Sequence, residues 1–481
     1  MKKTTIRIAN ILLLIIMIFG GNSCKKDFLN VVPKGSLVAQ NVSDYDALLN
    51  GISLPAFNAD PQIPMGDEVS AIDPYYAAVA VRNQRLFSYA DDIYDASSTS
   101  VPVEISIPSS HIYLCNKIIS EVMDAANGTD AQKLSIKAEA QVHRAFAYFM
   151  LINYYGAPYN ATTAATDLGY PIITTPDVTA TGYTRASVKD VYDFIVKDLT
   201  TAIPNLPANL SNRIRVCKAA AEGMLGKVYV FMGNYKDALT QLNNAFTDAA
   251  SSTIPASLYD YNTQFVTGGV FGTTAPPTYP APQSNQESLL TKTSQNTWSF
   301  STNEMVLNPA TVALYGTTDL RRKFLSPTTT GGIAYPTGFM RRFAPTSSQI
   351  GVILPDMYLL RAECKARTND LAGAKADVET LRFKRMSAAA APVPPAVAAD
   401  PVQLTTFILQ ERIREFALQG FRWFDMRRLS VDPVYGTTVN YTHTYYSATG
   451  TITSTFTLPP NRLTLRFSAY VILQNPMTNN P

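Results

Sequence analysis

The sequence predicts a mainly α-helical fold in which antiparallel helical hairpins support a loop-rich, irregular half. Three observations predict it. Apolar residues recur at steps of three and four over several stretches. One such stretch returns with the same spacing 136 residues later. Residues 51–110 and 251–350, by contrast, carry no sustained helical period and are rich in Pro, Gly, Ser, Thr and Tyr.

At the amino terminus, Lys2, Lys3 and Arg7 precede an unbroken apolar run from Ile11 to Phe19. A bilayer-spanning helix needs roughly 20 apolar residues, so this run reads as the core of a signal peptide. Cys24 follows Gly20, Gly21, Asn22 and Ser23. That placement resembles the lipobox of bacterial lipoproteins, which makes residues 1–23 a lipoprotein signal peptide and Cys24 the lipid-bearing residue. Two acyl chains anchor stably where one does not. The remaining residues, 24–481, are expected to form a single body. Its helical hairpins fall mainly within 111–250 and 354–430, and its loop-rich regions are 51–110 and 251–350.

Within 133–155, Ala138, Val142, Ala145, Phe149 and Ile152 mark one helical face, and Gly156 and Pro158 end the helix. Residues 111–126 are its expected partner. In 188–203 the stripe is Val188, Val191, Tyr192, Ile195, Leu199 and Ile203, with Ser187 positioned to cap it and Asp190 three residues on. This helix is expected to pair with 217–250. There Leu225, Gly226 and Tyr229 are followed by Gly233, Tyr235, Ala238, Leu242 and Ala245, close to the tetratricopeptide pattern. Adding 136 leads to Ala362, Lys365, Asn369, Leu371, Ala374, Val378 and Leu381, which keep the small–turn–apolar order. The hairpins are therefore tetratricopeptide-like. Residues 386–400, rich in Ala and Pro, read as a flexible or extended loop, and 402–429 as the last strong helical region, with Gly420 able to stop it.

Composition narrows function. The formal charge is +3, and removing residues 1–23 deletes three basic residues and no acids, leaving a nearly neutral body. A nucleic-acid partner needs a basic footprint and is excluded. Cys115, Cys217 and Cys364 form no CxxC or metal spacing and read as buried thiols, with a pairing of two of them left open. Of three histidines (His111, His143 and His443) no two stand at metal-ligand spacing. No nucleophile elbow, zinc-protease motif or phosphate loop occurs, and no metal or cofactor is called for. Glu411 and Glu415 could present a glycosidase carboxylate pair. However, Arg412, Arg414, Arg422, Arg427 and Arg428 surround them, and structural ion pairing is the stronger reading.

The run ILQERIREFALQGFRWFDMRRLS at 408–430 resembles the carboxy-terminal signature of SusD-like (RagB/SusD) proteins, with Glu411, Arg412, Glu415, Gly420, Arg422, Asp425 and Arg428 at its characteristic positions. Gln419 and Met426 depart from it. Residues 24–33, 138–159, 185–206, 218–234 and 354–367 resemble further segments of that family, in order. The resemblance implies four tetratricopeptide-like hairpins beneath a variable ligand-binding half. It also implies a lipid-anchored protein on the outer membrane at the cell surface that captures a glycan for a TonB-dependent, SusC-like transporter and is not an enzyme. An oligopeptide ligand, or a helical-repeat scaffold binding a protein, are the alternatives.

For glycan capture the useful groups are flat aromatics with polar tips and short polar side chains. The first loop region offers Asp67, Tyr75, Tyr76, Arg82, Tyr89 and Tyr94; the second offers Asn296 and Trp298. Trp298 ranks first, because the other tryptophan, Trp423, lies in the structural signature. Affinity is expected in the micromolar to millimolar range, about −8 to −4 kcal/mol.

Overall fold

A computed structural model describes residues 39–51, 53–295 and 303–481. Cys24 and the leader, and Asn296 and Trp298, lie outside the described residues.

The 26-residue helix Asp130–Tyr155 organises the amino-terminal half. Thr129 and Gln132 close a capping box at its start. From Ala138 onward every residue to Tyr155 is buried, because Val103–Glu121 packs on one side and Val188–Ala202 on the other. Its polar residues are therefore partnered. Arg144 makes a bidentate pair with Asp198 at 2.8 and 2.7 Å and donates to Asn116 Oδ1. The 188–203 helix does pack on Lys218–Phe231, within the expected partner 217–250, but its main neighbour is Asp130–Tyr155. Lys218–Phe231 is buried on nearly every side, with Tyr235–Ala250 as its main neighbour and Val188–Ala202 and Leu354–Arg367 also against it. The partner helix also starts earlier than expected, at Val103 after Pro102, and ends at Glu121.

Lys218–Phe231 with Tyr235–Ala250, and Leu354–Arg367 with Leu371–Arg382, form the two matching hairpins. Their equivalence extends to the turn. Gly233 and Asn369, 136 residues apart, both hold positive φ (72° and 67°), and the next residues, Asn234 and Asp370, cap Asp237 N and Gly373 N. Gly226 sits where the helices cross: a Cβ there would lie 2.7 Å from Leu242 Cγ. Pro401–Phe416 packs against Leu354–Arg367 and extends the row.

Two expectations are revised here. Residues 402–429 form two helices: the first ends at Phe416, Leu418 and Gly420 take positive φ, and Arg422–Ser430 follows. Residues 386–400 are folded in place. Arg382 donates to Ala390 O and Ala391 O at 2.7 Å, Val393 N donates to Glu379, and Pro395–Ala398 is helical. The three cysteines are buried free thiols.

One strand from each loop-rich region and two strands that follow the last helical region form a four-stranded sheet in the order Ile452–Thr457, Thr442–Tyr446, Val69–Ile72, Met305–Leu307. Val69–Ile72 runs antiparallel to Met305–Leu307 (Ala71 opposite Met305) and parallel to Thr442–Tyr446 (Ile72 opposite Tyr446). This register brings the chain after Ile72, the chain before Met305 and the end of Thr442–Tyr446 to one edge. The main apolar cluster, from Phe57 to Phe467, takes residues from helices and loops alike, and a small separate one holds Ile72, Val306, Tyr335 and Phe339. Among the described residues no helix is long and apolar enough to cross a membrane.

Candidate functional site

The sheet edge gathers aromatic and polar groups, the carboxylates of Asp73 and Glu304 among them. Tyr75, Tyr445 and Tyr446 are half-buried there: Tyr75 and Tyr446 lie over buried Tyr335 and Phe339, and Tyr445, on the opposite face of its strand, packs against Tyr76 at 4.9 Å. Tyr335 meets Tyr75 edge-on at 6.4 Å, and Phe339 meets Tyr446 edge-on at 4.9 Å. The Tyr445 hydroxyl donates to Asp73, whose N–H donates to Tyr446 O. Burial, and then the neighbouring Asp73 carboxylate, push the Tyr445 phenol up to about 12, so it remains a donor at neutral pH. On the other side Asn83 donates to Glu304 at 3.3 Å. Asn303, at φ 58°, holds Thr330 by two hydrogen bonds of 2.8 and 2.9 Å. The result is a set of rings fixed by edge contacts and hydrogen bonds, with hydroxyl, amide and carboxylate groups around them.

A cleft of about 600 Å³ adjoins it, lined by Asn58, Asp60, Arg82, Tyr94, Asp95 and Glu104 among others. Arg82 spans Asp60 and Glu104 at 3.4 and 3.1 Å, and the Tyr94 hydroxyl sits 2.5 Å from Glu104 and 2.8 Å from the Tyr155 hydroxyl. The short helix Val81–Phe87 stands between the two places: Arg82 turns to the cleft and Asn83 to Glu304.

Of the residues proposed from sequence, Tyr75 lies on the sheet edge and Arg82 and Tyr94 in the adjoining cleft. Three others are interior, which corrects their assignment to a surface. Asp67 is buried in a bidentate pair with Arg422 at 2.5 and 2.7 Å and also accepts from Asn440 N. Tyr76 is buried, packs edge-on against Phe87 and donates to Gln84 O. Tyr89, at φ 55°, stacks on His443 at 4.4 Å, with its hydroxyl 2.8 Å from Nε2. The causes are separate: Asp67 lies in a stretch, 61–70, that is buried throughout, Tyr76 turns into the core while Tyr75 beside it stays half-buried, and Tyr89 is held inside by its stack on His443. Sequence reasoning missed Asn83, Asn303, Glu304, Tyr335, Tyr445 and Tyr446. Only the last pair left a trace, the strand-like run THTYY followed by a turn at Ser447–Gly450.

The carboxy-terminal signature is a buried ion network. Glu411 is held by Arg321, Arg382 and Arg414, and Glu415 by Arg321 and Arg385. Arg412 joins Asp356 to Asp425, and Arg428 joins Asp425 to Glu363. Gly420, at φ 83°, lets the chain turn against Gln62 between the two helices. Burial alone would raise these carboxyls, but the surrounding guanidinium groups overcome it and hold Glu411, Glu415 and Asp425 below the usual carboxylate range. A glycosidase acid needs a raised pKa, so this pair cannot supply a proton at neutral pH. Among the described residues no group of three or more His, Cys, Asp or Glu could hold a metal ion.

Comparison with known proteins agrees with this architecture. A SusD-like family model, described as starch-binding and associating with outer membrane, matches residues 27–230, and the SusD family model matches residues 354–480. No curated protein sequence matches. Among solved structures, a SusD superfamily protein of Bacteroides thetaiotaomicron shares 18% identity over 92% of this chain and 100% of its own, with a TM-score of 0.68. A SusD-like carbohydrate-binding protein of Bacteroides vulgatus shares 17% over 81% and 83%, with a TM-score of 0.61. A laminarin-binding SusD-like protein shares 17% over 92% and 99%, with a TM-score of 0.64.

Proposed function

This chain belongs to the SusD family, and from that premise we propose that it captures a glycan at the cell surface, anchored through a lipid on Cys24. It passes the glycan to a TonB-dependent, SusC-like outer-membrane transporter and catalyses nothing itself. The observation that carries this reading is the sheet edge, where Tyr75, Tyr445 and Tyr446 stand half-buried among Asp73, Asn83, Asn303 and Glu304. A pyranose has an apolar C–H face that stacks on such rings and a rim of hydroxyls that pairs with short polar groups. The description of two structural relatives as carbohydrate-binding and laminarin-binding supports it. So does the pairing of Glu411 and Glu415 with arginines, which removes the most plausible hydrolytic pair.

The test is affinity electrophoresis and calorimetry with neutral polysaccharides, laminarin and amylopectin among them, with product analysis after long incubation. Retention without cleavage is expected, and Tyr75→Ala with Tyr446→Ala should weaken it about tenfold or more, ~1.4 kcal/mol. Cleavage, or unchanged binding by the double variant, overturns the reading. Cys24→Ala should release the protein from membranes.

Capture of an oligopeptide is favoured by one observation, the charged cleft of Asp60, Arg82, Asp95 and Glu104 beside the tyrosines. Such groups suit the charged ends of a peptide, and peptide binding competitive with glycan would support this second reading.

A further inference from the structure

A second cleft, of about 350 Å³, lies between residues 276–282 and 343–349. Its walls are rings: Pro277, Tyr279, Pro280, Phe343 and Pro345 all line it, and no charged side chain does. Ser347 and Gln349 belong to a strand paired with Thr293–Gln295, and both line the cleft, as alternate residues of one strand face. Gln349 is the unusual member. Its side chain is buried, with 5% exposure for the residue, and neither its amide nitrogen nor its amide oxygen has a hydrogen-bond partner. Buried amides are nearly always partnered. One left open on both atoms beside a cleft offers a donor and an acceptor side by side.

We propose that this cleft is a second saccharide subsite, taking one neutral sugar unit of the same glycan that the sheet edge holds. The proposal rests on the glycan-capture reading and extends it. The ring walls match the C–H face of a pyranose, and the Gln349 amide matches two neighbouring hydroxyls, one accepting and one donating. The absence of charge in the lining disfavours acidic sugars and peptide termini, whose desolvated charges would have no counterpart. The volume lies at the lower end of the range for small-molecule sites, about 300–1,000 Å³. Position also fits. Gln295, paired with Ser347, and Asn303, on the sheet edge, are eight residues apart, so their Cα atoms are separated by at most about 29 Å. That span is within reach of one polysaccharide chain, and a second contact made by the same chain acts as an intramolecular one that raises overall affinity.

The experiment compares wild type, Gln349→Leu, Phe343→Ala and the Tyr75→Ala/Tyr446→Ala double variant in gels containing laminarin, amylopectin, xylan or mannan. Each variant's melting temperature is measured, and decaproline is used as competitor. Gln349→Leu keeps the side chain's size and removes an unsatisfied amide, so its melting temperature should be equal to or above that of wild type. The proposal expects Gln349→Leu and Phe343→Ala each to weaken binding of the retained polysaccharide roughly tenfold, and the double variant to keep residual binding. Wild-type affinity in both cleft variants overturns the subsite and leaves glycan capture standing. Decaproline binding that is lost in Gln349→Leu, with saccharide binding unchanged, makes the cleft a peptide groove and also overturns it. No retention of wild type by any of the four polysaccharides overturns both.

Discussion

Asp67 separates a structural role from a ligand-binding one. Its carboxylate receives Nε and Nη2 of Arg422 at 2.5 and 2.7 Å and the N–H of Asn440 at 2.9 Å, and both ionic partners are buried. The pair ties the Arg422–Ser430 helix to the segment leading into Val69–Ile72, one of the two inner strands of the sheet. Asp67→Asn keeps the size and one acceptor but leaves Arg422 a buried cation facing a neutral group. Removing one member of a buried pair costs about 3–5 kcal/mol, and the retained acceptor argues for the lower end, about 3 kcal/mol. For a body of about 440 residues the unfolding entropy is about 0.9 kcal/mol/K, so the melting temperature should fall by about 3 °C. Differential scanning calorimetry measures this. Glycan affinity measured well below the transition should change less than about threefold, since Asp67 does not reach the surface. An unchanged melting temperature together with lost binding would refute the reasoning and return Asp67 to the ligand site.

Three further outcomes are expected. Gly226→Ala should destabilise by about 1 kcal/mol in chemical denaturation, although Ala normally improves a helix interior by about that amount, because the new Cβ would meet Leu242 at 2.7 Å. Burial, with the Asp67 charge beside it, pushes the Glu68 carboxyl up to about 8. Its folded value thus lies above the unfolded one, so stability falls as pH rises from about 4.5 to about 8. Glu68→Gln should melt higher than wild type at pH 9 and equally at pH 4. Burial lowers the Lys292 ammonium to about 7, between Leu54 O and His143 Nδ1. The unfolded chain then binds the extra proton between about pH 7 and 10.5 and stability rises across that window; Lys292→Met should flatten that part of the melting profile relative to wild type.

The helical hairpins were legible in sequence because their determinants are local. The 136-residue offset carries not only the apolar stripe but the left-handed turn residue and the capping side chain, Gly233–Asn234 and Asn369–Asp370. The mixed charges of 408–430 likewise announced buried pairing, since that many arginines and acids among apolar residues have no other stable arrangement. Their partners were not legible: Arg422 meets Asp67 355 residues away, and Glu415 meets Arg321 and Arg385. The catching surface was legible only as a composition. Whether Tyr75 or Tyr76 faces outward depends on the turn between strand and helix. That Tyr445 and Tyr446 join Tyr75 depends on a parallel pairing between strands some 370 residues apart. Periodicity along one segment reports which face of that segment is apolar. It contains no term for which distant segment will lie beside it, and here that choice, made by the packed sheet and core, decides which tyrosines meet at the end of the sheet.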